Sequence, residues 1–309
     1  MYLLGIDIGG TKYHVRAVPH KGRPVDLVTP SQGNLHALGV KAMAKQLTLL
    51  VRRMQSRLGT RAYPAAVCAG ISGLDDTRTV RALSAAMQQE AWWRHVDPNA
   101  RRLVNDITIG LRAGTPSSFG IAILSGSGSN GYGVDPDGHE ASVAGRGLWM
   151  ADEGSGAQIG IDALHAVRRA EDGRGSRTLL TDMVFRHFRI TSTQELLPTL
   201  LSNTFHKSDL AAMNELVEHS AQEGDKMAKE ILHRAANELL LMADTLYGRL
   251  SFSRELVVDT VLIGGTINKN RVVLNLFLSG ARKRRWMRPI PLSDDPVAGA
   301  IELARATVQ

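Results

Sequence analysis

Twice in this chain a short apolar run stops on a corner of glycines. Residues 2–8 (YLLGIDI) read as a buried strand carrying an acid, Asp7, and Gly9, Gly10, Thr11 and Lys12 follow at once. A glycine pair permits a tight turn whose backbone N–H groups can approach an anion with no side chain in the way. A carboxylate beside such a turn cannot itself hold phosphate, but it can hold a hydrated Mg²⁺ that does. Residues 118–124 (SFGIAIL) form a second apolar strand, followed by Ser125, Gly126, Ser127, Gly128, Ser129, Asn130 and Gly131. Either stretch alone also reads as a strand and hairpin turn, because short glycine-rich matches arise by chance. Two of them suggest the two jaws of a nucleotide clamp.

The length supports two jaws. At 309 residues the chain is about twice the usual length of one domain. With 43% hydrophobic and 22% charged residues it can build ordinary cores and has no disordered or fibrous character. The net charge of +7 gathers at Arg282, Lys283, Arg284 and Arg285, and at Arg168, Arg169, Arg174 and Arg177. No zinc-finger, basic-zipper or RNA-binding signature accompanies it and aromatics are only 5%, so a solvated face that favours anionic small molecules is expected, not a nucleic-acid partner. Cys68 is the only cysteine, which excludes an intramolecular disulfide and a cysteine-rich metal site. The chain enters its first strand with no room for a signal peptide, and no apolar run reaches spanning length; a cytoplasmic protein without a membrane partner is expected.

Taken in order, residues 13–18 and 25–29 extend the first strand into a meander, with Lys21-Gly22-Arg23-Pro24 as a turn. A single helix is predicted over 35–58 with Leu38, Ala42, Leu49 and Met54 apolar, then a strand over 65–69, a helix over 75–90 and a short strand over 102–105 ending in Asn105-Asp106. A boundary is expected near Gly114. The second half restarts with strands at 119–124, 131–134 and 139–143, which implies a duplicated architecture without any residue-level repeat. A glycine- and acid-rich loop (145–159) leads into a helical region to about 251, clearest along Met227, Ile231, Ala235, Leu239, Met242, Leu246 and Leu250, a packing seam. A strand over 260–263 ends in Gly264-Gly265; a helix over 268–279, a strand over 287–290 and a last helix from Pro296 complete the chain.

Six motifs in this order, DIGGTK, Asn105-Asp106, LSGSGSNGYG, GRGLWMADEGSGAQIG, LIGGTINKN and DDPVAGAI, resemble those of the sugar-kinase, Hsc70 and actin superfamily. Within it the chain is similar to the N-acetylglucosamine and glucosamine kinases grouped with the BadF/BadG/BcrA/BcrD-type ATPases. The resemblance spans nearly the whole chain, and GRGLWMADEGSG is its most specific part. It implies an α/β fold of two actin-like, ribonuclease H-like domains, each a mixed five-stranded sheet with helices. A nucleotide and sugar cleft would lie between them, with domains at 1–114 and 115–295 and a final helix, 296–309, returning to the first. The implied reaction is ATP-dependent phosphorylation of the 6-hydroxyl of an amino sugar, N-acetylglucosamine first, glucosamine or N-acetylmuramic acid next.

Carried over residue by residue, the resemblance implies that Asp7 positions Mg²⁺ while Gly9, Gly10, Thr11 and Lys12 line the phosphates of ATP. Gly126, Ser127 and Gly128 would form the opposing phosphate loop, and Gly264 and Gly265 would admit the adenosine. Asp106 would be the general base facing the acceptor hydroxyl. Asn34, Ser129, Gly147, Asp152 and Glu153 would hold sugar hydroxyls or the N-acetyl group. Each has a plainer reading: Asn34, Asp106, or Asp152 with Glu153 could cap the helices that follow them, and Lys12 could be a solvated strand residue. Trp92, Trp93 and Trp149 read as packing. None of the ten histidines has metal-ligand spacing, and the Cys/His zinc motif of repressor-type glucokinases is missing. A homodimer and closure of the domains about Gly114 are further expectations. Two other functions compete: an activator ATPase of the benzoyl-CoA reductase or 2-hydroxyacyl-CoA dehydratase kind, which needs paired cysteines that Cys68 cannot supply, and a non-catalytic sugar-binding regulator.

Overall fold

The computed structural model describes residues 1–308. The elements run β1 (Tyr2–Ile8), β2 (Lys12–Pro19), β3 (Val25–Pro30), α1 (Leu35–Leu38), α2 (Val40–Arg57), β4 (Ala66–Ile71), α3 (Thr77–Met87), α4 (Ala91–His95), β5 (Arg101–Val104) and α5 (Asp106–Gly114). The chain continues through β6 (Gly120–Ser125), β7 (Ser129–Val134), β8 (Glu140–Ala144), α6 (Gly156–Glu171), α7 (Leu180–Phe188), α8 (Thr193–Leu200) and α9 (Lys207–Ala212). It closes with α10 (Asn214–Gln222), α11 (Lys226–Arg249), β9 (Val258–Ile263), α12 (Gly265–Lys269), α13 (Arg271–Ala281), β10 (Met287–Pro291) and α14 (Val297–Arg305).

Two compact units result. The first comprises Met1–Ser118 and the C-terminal segment from Leu292; the second is Phe119–Pro291. The first holds a five-stranded sheet in the order β3-β2-β1-β4-β5, the second one in the order β10-β9-β6-β7-β8. In each, the leading strand pairs antiparallel with its hairpin partner on one side and parallel with a later strand on the other. The two sheets therefore share one topology, with β6 in the place of β1 and β9 in the place of β4. Both glycine corners occupy the same position in it, the turn between the leading strand and the next.

The central strands are covered on both faces: β4 and β9 are buried at every residue, the charge of Asp259 in β9 being paired with Arg288 of β10. In the first unit three glycines let helices come close. A Cβ on Gly70 of β4 would lie 2.4 Å from Ile109 of α5, one on Gly5 of β1 would lie 3.0 Å from the Val297 carbonyl of α14, and one on Gly299 of α14 would lie 1.9 Å from the Ile109 carbonyl. These approaches pin α5 and α14 to the sheet and to each other, and so fix where Asp106 and Asp295, at their leading ends, project.

The helix expected over 35–58 is two helices. Gly39, at φ 76° and ψ 162°, breaks it, and the helical phase restarts at Val40. The buried face of α2 is Met43, Ala44, Leu47, Leu50, Val51 and Met54, leaving Leu49, expected inside, 41% exposed. The helix expected over 268–279 likewise divides at Asn270, whose side chain accepts from the Val273 N–H and caps α13. Trp92 and Trp93 are buried as expected, but Trp149 is 94% exposed and packs nothing.

Candidate active site

In the first unit Asp7 is the penultimate residue of β1 and is buried. Its cross-strand neighbours are His14 on β2 and Gly70 on β4. Burial and the nearby charge of Asp106 push its carboxyl up to about 7, with Asp295 adding to the repulsion and Lys12 opposing it. Lys12, at the end of the glycine corner, pairs with Asp295 at 2.8 Å. His14, also buried, donates to or accepts from Asp26 at 2.7 Å and lies 3.8 Å from Asp295. At the corner, the Gly9 N–H donates to the Lys12 carbonyl at 3.1 Å and the Ser31 hydroxyl to the Gly9 carbonyl at 3.0 Å. A Cβ on Gly10 would meet nothing within 4 Å. Packing does not demand glycine there; the open space over the backbone is what its absence of side chain provides.

Asp106 is the first residue of α5. The cap is Asn105, whose side-chain oxygen accepts from the Ile107 N–H at 3.0 Å, and the carboxylate of Asp106 also accepts from the Ile107 N–H and from its own N–H. It is half-buried, and burial, then the charge of Asp75, push it up to about 6 while a hydrogen bond from Ser72 pulls the other way. Ser72 ties this acid to Asn34: its carbonyl accepts from the Leu35 N–H at 3.0 Å, in the turn that Asn34 caps. Asn34 does take its helix-capping role, its oxygen accepting from the Ala37 N–H at 3.0 Å. That bond uses only the oxygen, and the two amide donors stay available for a hydroxyl or carbonyl. Asp75 closes the group, accepting from Asn105 Nδ2 at 2.7 Å and bonded to His36 Nε2 at 3.0 Å. Sequence reasoning passed over Ser72, Asp75 and Asp295. The acid-glycine spelling of their loops was the only signal, and their relevance depends on chain segments that meet through the fold.

In the second unit the loop Gly126–Gly128 closes with the Gly126 N–H donating to the Gly128 carbonyl at 2.9 Å. The Gly126 carbonyl accepts from the Gly156 N–H at 2.8 Å and from the Thr266 hydroxyl at 2.9 Å, tying the loop to the leading ends of α6 and α12. Gly264 sits at φ 102°, where a Cβ would lie 2.5 Å from the Ser125 carbonyl, so the glycine expected to admit adenosine is also what lets β9 end against the loop. Gly265, next to it, is exposed and starts α12. Ser127 is exposed; Ser129 is buried, its N–H donating to Asp152 at 3.1 Å and its hydroxyl to the Glu153 carbonyl at 2.7 Å. Asp152 is buried and also paired with Lys207. Neither Asp152 nor Glu153 caps α6, because Ser155 does so by accepting from the Gln158 N–H. Gly147, at φ 82°, makes the turn that carries Trp149 and Met150 into solvent, and Glu153 is exposed.

The first unit therefore brings together Asn34, Ser72, Asp75 and Asp106, with Asp7 close enough to feel the last; the second brings together Gly126–Ser129, Asp152, Lys207 and Gly264. Asp7, repelled by Asp106 and Asp295, suits a divalent cation, which would neutralise the charge that now holds its proton on. Among the described residues no helix is long and apolar enough to cross a membrane.

Comparison with known proteins agrees with this duplicated arrangement. The sequence profile of the BadF/BadG/BcrA/BcrD ATPase family matches residues 4–304. An N-acetylmuramic acid/N-acetylglucosamine kinase from Clostridium acetobutylicum is 27% identical over 99% of this chain and 98% of its own. An N-acetyl-D-glucosamine kinase from Dictyostelium discoideum is 26% identical over 97% of each. Among solved structures, a candidate N-acetylglucosamine kinase from Chromobacterium violaceum superposes with a TM-score of 0.76 at 25% identity, covering 98% of each chain. A glucokinase from Streptomyces griseus, solved with glucose and AMPPNP, gives 0.52 at 16% identity over 99% of each, a likeness of fold.

Proposed function

Because this chain belongs to the BadF/BadG/BcrA/BcrD ATPase family, we propose that it transfers the γ-phosphoryl group of ATP to the 6-hydroxyl of an amino sugar, N-acetylglucosamine foremost. The observation that carries the reading is Asp106, an acid at the leading end of α5 that burial and the charge of Asp75 hold up at about 6, hydrogen-bonded by Ser72 beside the Asn34 turn. The acid takes or orients the hydroxyl proton as the oxygen attacks phosphorus. A group that titrates near the working pH serves this best, and about 6 is near it. In phosphoryl transfer most of the gain comes from positioning and from neutralising charge.

The other roles follow. Gly9, Gly10 and Thr11 hold phosphate, with Lys12 once it releases Asp295, and so do Gly126, Ser127 and Gly128, while Gly264 and Gly265 admit the adenosine. Asn34, Ser129, Gly147 and Glu153 hold the sugar, with Asp152 once Lys207 has left it. Asp7 is the residue that would hold Mg²⁺, which when bound supplies the positive charge the phosphates require. ATP as co-substrate makes the cytoplasm the expected location. An activator-type ATPase is disfavoured, since the single cysteine, Cys68, is buried in β4 and out of reach of a cluster shared with a partner.

ADP release measured with Mg²⁺, ATP and a panel of hexosamines tests the proposal. Sugar-dependent release with an amino sugar is expected; ATP hydrolysis indifferent to every sugar would refute it.

A further inference from the structure

Asp152 is 3% exposed, and both of its oxygens are engaged, one by the Ser129 N–H at 3.1 Å and the other by the ammonium of Lys207. A carboxylate this deeply buried needs a charged or hydrogen-bonded partner, so the pair by itself has a structural explanation. Where that partner comes from has none. Lys207 opens α9, a short helix inside the helical region, and α9 crosses α6 so closely that a Cβ on Gly160 would lie 2.2 Å from the Leu210 carbonyl oxygen. The crossing delivers Lys207 to one spot, against the glycine loop: a Cβ on Gly128 would lie 2.7 Å from its Nζ. The Lys207 side chain keeps 38% of its surface open, whereas Asp152 keeps 3%. The backbone corner carries no charge of its own, and no sequence motif marks a cation in this unit's loop.

We propose that Lys207 is a ligand of the nucleotide's phosphates in the second unit, held in place by Asp152 until the nucleotide arrives. The inference rests on the reading of Gly126–Gly128 as a phosphate loop. A lysine serves phosphate as a mobile point charge, and a half-exposed lysine whose Nζ lies against a backbone cradle suits that task.

Calorimetric binding of ADP to the purified full chain tests it. K207M should bind ADP on the order of tenfold more weakly than wild type, K207R should recover most of the loss, and adenosine should bind both proteins alike. Because K207M leaves a buried carboxylate unpaired and could unfold the loop, the decisive comparison is D152N against D152N/K207M, which removes that stranded charge. Weaker ADP binding by the double variant is expected. Equal binding by the two would overturn the role of Lys207 and leave the kinase reading standing, whereas wild-type protein that binds no ADP would overturn the nucleotide reading itself.

Discussion

Asp7 and Asp106 lie on different elements of the first unit, yet after burial it is the charge of Asp106 that does most to hold the Asp7 carboxyl up at about 7. A buried acid held up by a neighbouring charge is costly to a fold and useful to a reaction that brings in a cation and removes a proton. The sheet accounts for their proximity: β1 carries one, and α5, drawn onto β4 at Gly70, carries the other.

Asp106→Asn keeps the side-chain shape and removes the base. It should leave sugar affinity near wild type and lower kcat by about a hundredfold or more, read from steady-state kinetics and sugar binding measured separately. A near-normal rate would remove Asp106 as the base.

Stability should depend on pH in a defined direction. Asp7 at about 7 and Asp106 at about 6 hold protons in the folded state that the unfolded chain, at its ordinary carboxylate value of 3.8, has already lost. The native state binds more protons across that interval, so stability falls as pH rises from about 4 to about 7 and levels off above it. Melting temperature measured without ligands from pH 5 to 8 should decline, and Asp7→Asn should flatten the decline. In kinetics the sign reverses, because a base must be ionised: kcat/KM should climb through the region of 6.

Asn34 separates two roles by atom. Asn34→Ser retains an oxygen for the Ala37 N–H and should melt close to wild type, whereas Asn34→Ala should lose about 1 kcal/mol of stability by denaturant titration. Both lack the amide donors, and both should raise the KM for sugar.

Gly264→Ala places a Cβ at φ 102° and 2.5 Å from the Ser125 carbonyl. Backbone strain alone costs about 1–3 kcal/mol, so the variant should unfold at lower denaturant, and ADP affinity should drop with the displaced loop. Gly10→Ala, with open space at its Cβ, should leave stability unchanged and reduce ADP affinity.

The sheets were readable from sequence because buried strands are mostly apolar runs, as at β1, β4, β6 and β9, and because the same run-and-corner spelling occurs in both halves. The helix break at Gly39 was not, since one glycine inside an apolar period gives no sign of whether it will bend the chain or be tolerated within it. Leu49 shows the consequence: once the phase restarts at Val40, a residue assigned to the core faces water. Trp149 failed for a different reason, because an aromatic residue in a glycine-cornered turn carries no periodicity from which burial can be judged. Asp7 and Asp106 could be proposed from their place at the ends of strands, and Asn34 from the family resemblance alone. Ser72, Asp75 and Lys207 could not, because each acquires its role by meeting a distant segment.

The most direct test of the central claim is ³¹P and ¹³C NMR of the products after incubation of the protein with Mg²⁺, ATP and each of N-acetylglucosamine, glucosamine and N-acetylmuramic acid. The account predicts a phosphate monoester on carbon 6 of at least one of them, formed in step with ADP and lost in Asp106→Asn. ATP consumed to free phosphate with every sugar recovered unchanged would contradict it.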